Sequence, residues 1–204
     1  VTNNLIITDE RLNHSGRSQL ANIRAVIGLD ESALISGCGT ALKRDWLKVV
    51  LPLPNCDVSY DIWINKLADF LHARALIPEP LQYYRRHGSN SSSWIASRPE
   101  GVSRFDILMA YGLRDATDGW KRQIETDKAY VERLEQARSE IAKIATPQVE
   151  EAAMRMLRRR IADLETRIEL VSLPRRRRVP LVLSSLLAGN YETLKGWRSA
   201  MKDI

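Results

Sequence analysis

The spacing of apolar positions divides the chain into an N-terminal part with strands and short helices and a C-terminal part with long helices. Residues 5–8 form a short β-branched run that predicts a buried strand. Apolar residues at helical spacing predict a helix over 43–51 and another from 62 to about 73. The run 75–86 contains two prolines and predicts an edge strand followed by a second extended piece. This alternation favours an α/β arrangement for the first hundred residues.

From residue 105 the apolar period becomes that of long helices. Apolar positions recur at steps of three, four or seven until Ala145, stop at Thr146 and Pro147, and restart until Pro174. The pattern predicts an antiparallel helical hairpin with charged outer faces, which is typical of a structural or assembly element. We therefore expect an α/β region at 1–98, a helical region with the hairpin at 99–174, and a basic amphipathic tail at 175–204.

Composition adds a charge asymmetry to this division. The formal net charge is +6. The first hundred residues contain 11 Lys and Arg and 10 Asp and Glu, whereas the remainder contains 20 Lys and Arg and 15 Asp and Glu. Any attraction to an anionic surface is therefore expected in the C-terminal half. The two cysteines, Cys38 and Cys56, are too few for a disulfide scaffold and favour a reducing, cytoplasmic compartment. No apolar run reaches the roughly 18 residues of a membrane span.

The tail leaves two interpretations open. Four arginines at 175–178 precede an apolar segment too short to span a bilayer, and Tyr191 and Trp197 follow. This pattern favours a helix that lies on an anionic membrane through residues 175–197, at the inner face of the cytoplasmic membrane. The alternative is a final helix packed on the hairpin with a solvated basic turn. Nucleic acid is an unfavoured partner because no reader motif accompanies the arginines.

Two segments carry most of the candidate chemistry. Asp61 precedes an apolar and aromatic run and is a candidate general base, although an acid at a helix start is also commonly an N-cap. Arg85, Arg86 and His87 lead into a polar Gly-Ser-Asn loop. Two guanidiniums beside a loop of backbone N–H groups suit a diphosphate, and an ordinary basic strand end is the alternative.

Two further positions are candidates for lining a ligand site. Asp9 ends the first predicted strand, where it could face a ligand or cap the next turn. Gly37 and Gly39 interrupt an apolar run, which predicts close approach of the backbone to a ligand or to another element. Their spacing is not that of a phosphate-binding loop or a dinucleotide fingerprint.

The ordered segments 36–44, 60–64 and 78–90 together resemble the family 2 glycosyltransferases of the GT-A fold. The likeness covers roughly residues 3 to 95 and is greatest to the bacterial branch that builds surface polysaccharide, including rhamnosyltransferase-like members. It implies a partial GT-A mixed sheet with helices, followed by the mainly helical extension. It also implies transfer of a sugar from a nucleotide-diphosphate sugar to a glycan or lipid-linked acceptor, with inversion.

The resemblance assigns roles residue by residue. Asp61 matches the general base that deprotonates the acceptor hydroxyl. The segment Arg85, Arg86 and His87 matches the loop that closes over the diphosphate, with His87 near a divalent metal, Mg or Mn, or the leaving group. The acceptor side of the cleft is assigned to Gly37, Cys38, Gly39 and Trp63, and Asp9 falls on a strand that ends near the site.

One part of the family pattern is missing. In that family an N-terminal βαβ half carries an Asp-x-Asp motif that binds the metal and the donor, and this sequence has no Asp-x-Asp. We therefore expect the chain to be the acceptor-side portion, inactive or nearly so unless upstream residues or a second polypeptide complete the fold. The competing interpretation is a non-catalytic module in which the hairpin makes a homo-oligomer or the tail contacts a membrane.

Overall fold

The structure is a computed structural model, which describes residues 1–14, 16–26, 29–90, 97–98, 117–191, 194 and 196–204, with the backbone alone at Arg198 and Lys202. The chain groups into two compact units. The first comprises Val1–Trp46, Ser59–Asp69 and Ala73–Arg114, and the second comprises Leu47–Val58, Phe70–His72 and Asp115–Ile204. The mixed α/β class is confirmed, and the finer assignment to the GT-A fold stays a prediction. The predicted boundary at 98 borders residues outside the described ones.

The first unit is built on two parallel strands, β1 (Thr2–Thr8) and β2 (Leu76–Arg85). β2 is one continuous strand, whereas the sequence predicted an interruption at its prolines. The ladder instead shifts register on both sides of Asn4, which lies opposite Pro80. Proline has no N–H to donate to the ladder, and the Asn4 side-chain amide donates instead to the Pro78 carbonyl at 2.8 Å. The strand pair therefore continues past both prolines.

Two helices pack around this sheet, α1 (Gln19–Ala25) and α3 (Tyr60–Phe70, of which Phe70 belongs to the second unit). Ser18 caps α1, because its hydroxyl accepts the Ala21 N–H. Leu5 and Ile7 of β1 are buried, and α1 contributes Leu20 and Ile23 to a core cluster that also contains Leu34 and touches Leu76. Asn65 on α3 ties the helix to the sheet, since it accepts the Thr2 hydroxyl at 2.7 Å.

Residues 37–40, called here the glycine segment, lie along the other edge of β1. The N–H of Asn3 donates to the Gly39 carbonyl at 3.0 Å, and Thr2 forms an isolated antiparallel bridge with Thr40. The predicted helix over 43–51 is shorter than expected: a 3₁₀ turn at Arg44–Trp46 is followed by α2 (Leu47–Val50). β1 is thus flanked by β2 on one side and by the glycine segment on the other.

The second unit is helical. The long helices α4 (Thr117–Gln136) and α6 (Pro147–Ser172) pack against one another, with α5 (Arg138–Ile141) between them. Ion pairs Lys128–Glu165 and Glu135–Arg158 cross between α4 and α6, so the helices run antiparallel as the apolar period predicted. Buried side chains that fill this unit include Tyr130, Leu134, Ile141, Leu157 and Leu164.

The tail forms two more helices, α7 (Arg175–Leu187) and α8 (Trp197–Asp203), both packed on α6. One buried cluster joins these helices. It contains Leu170 of α6, Val182 of α7, Ala200 of α8, and Tyr191 from the connection between α7 and α8. Part of the tail therefore packs on the hairpin, as the alternative interpretation of its sequence predicted. Over the described residues, every helix is either too short or too polar to cross a membrane.

Candidate functional site

The parallel pairing of β1 and β2 brings two predicted site segments to the same end of the sheet. Thr8 is the register partner of Arg85, and the next residue, Arg86, donates its N–H to the Thr8 carbonyl at 2.9 Å. Asp9 follows Thr8 directly, so the acid and the basic segment leave neighbouring strand ends together. The sequence predicted each strand end separately, and the parallel register joins them.

Asp9 organises the turn that follows β1. Its carboxylate accepts the N–H groups of Arg11 and Asn13, both at 2.8 Å, and the Asn13 side-chain amide at 2.9 Å. The amide of the Asn13 side chain, followed by these backbone N–H groups, lowers the pKa of Asp9 below its usual value. These contacts support the turn-capping alternative, and the predicted contact of Asp9 with substrate stays a prediction.

The loop after β2 closes on itself. Asn90 accepts the His87 N–H with its side chain and donates its own N–H to the His87 carbonyl at 3.1 Å. The His87 ring nitrogen Nδ1 lies 2.8 Å from the Ser89 hydroxyl. The Arg86 guanidinium lies over the Tyr84 ring, 5.7 Å from its centre, with one nitrogen 3.3 Å from the phenolic oxygen. The cationic segment is therefore shaped by contacts within residues 84–90.

The glycine segment, which lies along β1, also contacts β2 through a side chain. The Gln82 side chain donates to the Cys38 carbonyl at 3.0 Å. A Cβ atom placed on Gly39 would lie 3.2 Å from the Asn3 carbonyl oxygen, and one placed on Gly37 would lie 2.3 Å from the Tyr60 hydroxyl oxygen. The predicted close approach is thus to other elements of the first unit. Cys38 itself is exposed as a free thiol.

Asp61 lies in the first turn of α3, because the helix begins one residue earlier, at Tyr60. It is therefore not the N-cap that the sequence suggested as the alternative to a catalytic role. The Ser59 hydroxyl at 2.6 Å and the Ile62 N–H at 2.9 Å both donate to Oδ1. Over the described part of the chain, Oδ2 has no such donor, and the side chain is half-buried. One oxygen is held in place while the other can accept a proton.

Trp63 is on the opposite side of α3 from solvent, only 1% exposed. Trp63 is one of the buried core residues, which explains an aromatic residue two positions after the acid without reference to a ligand. Its predicted contact with an acceptor stays a prediction.

Two residues that the sequence did not single out, Gln82 and Tyr84, connect the predicted ones. Gln82, Tyr84 and Arg86 alternate along β2 and its end, so their side chains share one face of the sheet. Gln82 reaches the glycine segment, and Tyr60 joins that segment to the helix start that carries Asp61. The step of two residues from 82 to 86 was the signal in the sequence that could have identified this face.

The described residues do not supply a ligand set for the predicted Mg or Mn. Among the residues that the structure describes, no three His, Cys, Asp or Glu side chains are grouped so that they could hold a metal ion. His87 has Ser89 and Asn90 as its neighbours rather than carboxylates. The divalent metal therefore stays a prediction.

Comparison of the chain with models of protein families, with curated proteins and with solved structures found no match.

Proposed function

We propose that this chain is the acceptor-side portion of an inverting glycosyltransferase. The enzyme would transfer a sugar from a nucleotide-diphosphate sugar to a glycan or lipid-linked acceptor, in the synthesis of surface polysaccharide. The observation that carries the proposal is the meeting of the three resembling segments in the first unit. Gln82 of the third segment bonds to Cys38 of the first, and Tyr60 of the second packs on Gly37. These segments lie far apart in the sequence, so their contact is an independent argument for one shared site.

Asp61 is suited to act as the base in this scheme. The acceptor hydroxyl gives its proton to Oδ2, and the hydroxyl oxygen forms a bond to the anomeric carbon of the sugar. The bond from that carbon to the diphosphate breaks on the opposite side, and the diphosphate leaves with the electron pair. Inversion follows from this in-line displacement. A positioned general base contributes about 10²–10⁴ to the rate of such a step.

The end of β2 is suited to receive the leaving group. Negative charge accumulates on the diphosphate as the bond breaks, and the guanidinium of Arg86, on the face that it shares with Gln82 and Tyr84, would stabilise it. Arg85 is the last residue of β2 and belongs to the opposite face. Because Arg86 lies over the Tyr84 ring and the 87–90 loop is closed by Asn90, both are ordered before a ligand binds. Less conformational entropy is then lost on binding.

The experiment is an Asp61→Asn substitution in the longest natural form of the protein, with release of nucleoside diphosphate from a panel of nucleotide sugars as the assay. Asparagine keeps the Oδ1 acceptor for Ser59 and Ile62, so the fold should be retained. We expect turnover to fall by about 10²–10⁴-fold. The matched control is Asp57→Asn, an exposed acid in the loop that precedes α3.

Two outcomes would count against the proposal. If Asp61→Asn and Asp57→Asn have the same turnover, Asp61 is not the base and the non-catalytic interaction module becomes the better hypothesis. If residues 1–204 alone catalyse robust sugar transfer or hydrolysis, the chain is not merely the acceptor side. We expect the isolated chain to be inactive or nearly so.

A further inference from the structure

Helix α7 carries two apolar stripes, and one of them is not covered by the described residues. Val182 is fully buried in the cluster with Leu170, Tyr191 and Ala200, and Leu186 packs against that cluster. On the other side of the helix, Leu183 is 49% exposed and Leu187 is 89% exposed. Packing on α6 and α8 thus explains the first stripe but leaves the second without a partner.

The exposed stripe has the spacing of one helix face. Arg176, Pro180, Leu183 and Leu187 follow one another at steps of four, three and four residues, which keeps them on one side of an α-helix. The face is basic at its N-terminal end and apolar at its C-terminal end. α7 contains no acidic residue at all.

The four arginines of α7 do not have the same role. Arg178 donates to the carbonyl groups of Val171 at 2.8 Å and Leu173 at 2.9 Å, so it closes the C-terminal end of α6. Residues 175–177 are exposed, and no bond from their guanidiniums to another described residue is found. Cations at the N-terminal end of a helix oppose its dipole and do not stabilise it. These three arginines are therefore better explained by an external anionic partner than by folding.

The neighbouring helix α8 also exposes large apolar side chains. Trp197 and Met201, one helical turn apart, are both largely exposed, whereas Ala200 faces the buried cluster. Tryptophan is enriched at the boundary between water and lipid headgroups. Both tail helices thus bury one face in the second unit and leave an apolar face outside.

We propose that the exposed face of α7 docks on a bilayer that contains anionic phospholipids. Residues 175–177 lie among the phosphate headgroups, and Leu183 and Leu187 enter the acyl boundary beneath them. A lipid surface offers negative charge and an apolar phase side by side, which matches the order of charges and leucines along this face. Nucleic acid would explain the arginines but not the leucines. A second copy would bring basic ends that lack any acidic counterpart on α7.

Flotation of the full chain with vesicles tests the proposal. We expect binding to vesicles of phosphatidylcholine with phosphatidylglycerol, little binding to phosphatidylcholine alone, and weaker binding as salt is raised. Arg176→Gln together with Arg177→Gln should lower the partition coefficient on the order of 20-fold, at roughly fivefold per arginine. Leu183→Glu with Leu187→Glu should lower it at least about tenfold.

Matched controls separate the docking face from the rest of the surface. Ile144→Glu replaces an apolar residue whose exposed fraction, 48%, is close to that of Leu183. Ile144 lies in the connection between α5 and α6, outside the docking face. Lys121→Gln with Arg155→Gln removes two exposed charges from α4 and α6. Both controls should bind as the parent does, and circular dichroism should show the same helix content in every variant.

Other results would overturn the proposal. Absence of binding to the anionic vesicles would do so directly. If the arginine pair abolishes binding to a nucleic-acid duplex while the leucine pair changes nothing, the partner is nucleic acid. If the leucine pair dissociates a dimer in light scattering, the occupant is a second copy. None of these results measures sugar transfer, so the proposed function stands or fails separately.

Discussion

The tail is held to the hairpin by a buried ion pair whose loss should be measurable. The Arg167 guanidinium on α6 bonds to both carboxylate oxygens of Asp203 on α8, one of them at 2.8 Å. Tyr191 donates its hydroxyl to the same carboxylate at 2.8 Å. The Trp120 ring lies 4.1 Å from the guanidinium carbon. The side chains of Arg167 and Asp203 are only 7% and 1% exposed, so neither charge has much contact with water.

Asp203→Asn removes the negative charge and leaves the positive one buried. The guanidinium then keeps the neutral amide, the rings of Trp120 and Tyr191, and the Ser199 carbonyl at 3.3 Å among its contacts. Removal of one partner from a buried pair costs about 3–5 kcal/mol. α8 has seven residues and can detach with Ala200 from the cluster, which relieves the buried charge at the cost of exposed apolar area. We therefore expect a loss near the lower end, about 3 kcal/mol, or local release of α8.

Urea denaturation followed by circular dichroism, together with hydrogen exchange of α8 amides, measures both results. The control is Asp118→Asn, whose side chain is 86% exposed and lies 3.9 Å from Lys121. An exposed pair of this kind contributes roughly 0–1 kcal/mol. Arg167→Met combined with Asp203→Leu should recover most of the loss, because the buried charge is then gone. Unfolding of Asp203→Asn and Asp118→Asn at the same urea concentration, with the same exchange at α8, would mean that the buried pair does not hold the tail to the hairpin.

Three further predictions concern packing and pH. Burial, followed by the hydrogen bond to the neighbouring carboxylate, raises the pKa of Tyr191 well above its usual range. The phenol therefore stabilises the fold below about pH 10, and this contribution falls as pH rises further. In Tyr191→Phe, the unfolding free energy from urea denaturation at several pH values should decrease less above about pH 10 than in the parent. Asp127→Asn should cost about 2–3 kcal/mol of unfolding free energy, because the fully buried carboxylate pairs with Arg160 across the hairpin. Gly39→Ala should cost about 1 kcal/mol through the tight backbone contact, whereas Gly119→Ala, with open space around it, should be neutral or stabilise α4 by up to about 1 kcal/mol.

The hairpin was predictable because its signal is repetitive. Apolar residues along 117–172 recur at the helical period over many turns, and Pro147, predicted as part of the break between the helices, is the first residue of α6 in the structure. Pairing of two such helices needs only a short connection between them. The start of α3 was less predictable, since Ser59 and Asp61 are both suitable caps and only the backbone decides between them.

The residue patterns predicted the strand ends individually, and only the family resemblance implied that Asp9 lies near the basic segment. The pairing of two parallel strands depends on the packing of the whole unit. The sequence of residues 2–8 alone does not predict that they pair with 76–85. The register shifts at Asn4 show the same limit, because the compensating bond comes from a side chain to the Pro78 carbonyl. Local patterns thus predict elements, whereas the contacts between segments far apart in sequence depend on the assembled core.

The glycines illustrate how this difference bears on function. Absence of a side chain at Gly37 predicted a close approach, and the structure identifies the approaching group as the Tyr60 hydroxyl, next to Asp61. A methyl group at position 37 must displace this hydroxyl, which would otherwise lie 2.3 Å away. Tyr60 is largely exposed and can rotate outward, so Gly37→Ala should change the unfolding free energy by less than about 1 kcal/mol. The same movement disturbs the first turn of α3, where Oδ1 of Asp61 is held.

If the proposed function holds, Gly37→Ala should lower turnover of the longest natural form by roughly tenfold or more while it leaves stability almost unchanged, because small displacements of a positioned base are costly. Urea unfolding and nucleoside diphosphate release on the same preparation measure the two effects. Gly119→Ala is the control, since open space surrounds that glycine on α4, outside the segments assigned to the proposed site. Equal turnover in the two variants would mean that the contact between Tyr60 and Gly37 does not position Asp61. A large loss of stability in Gly37→Ala would instead mean that Tyr60 cannot rotate outward, and that the contact belongs to the core.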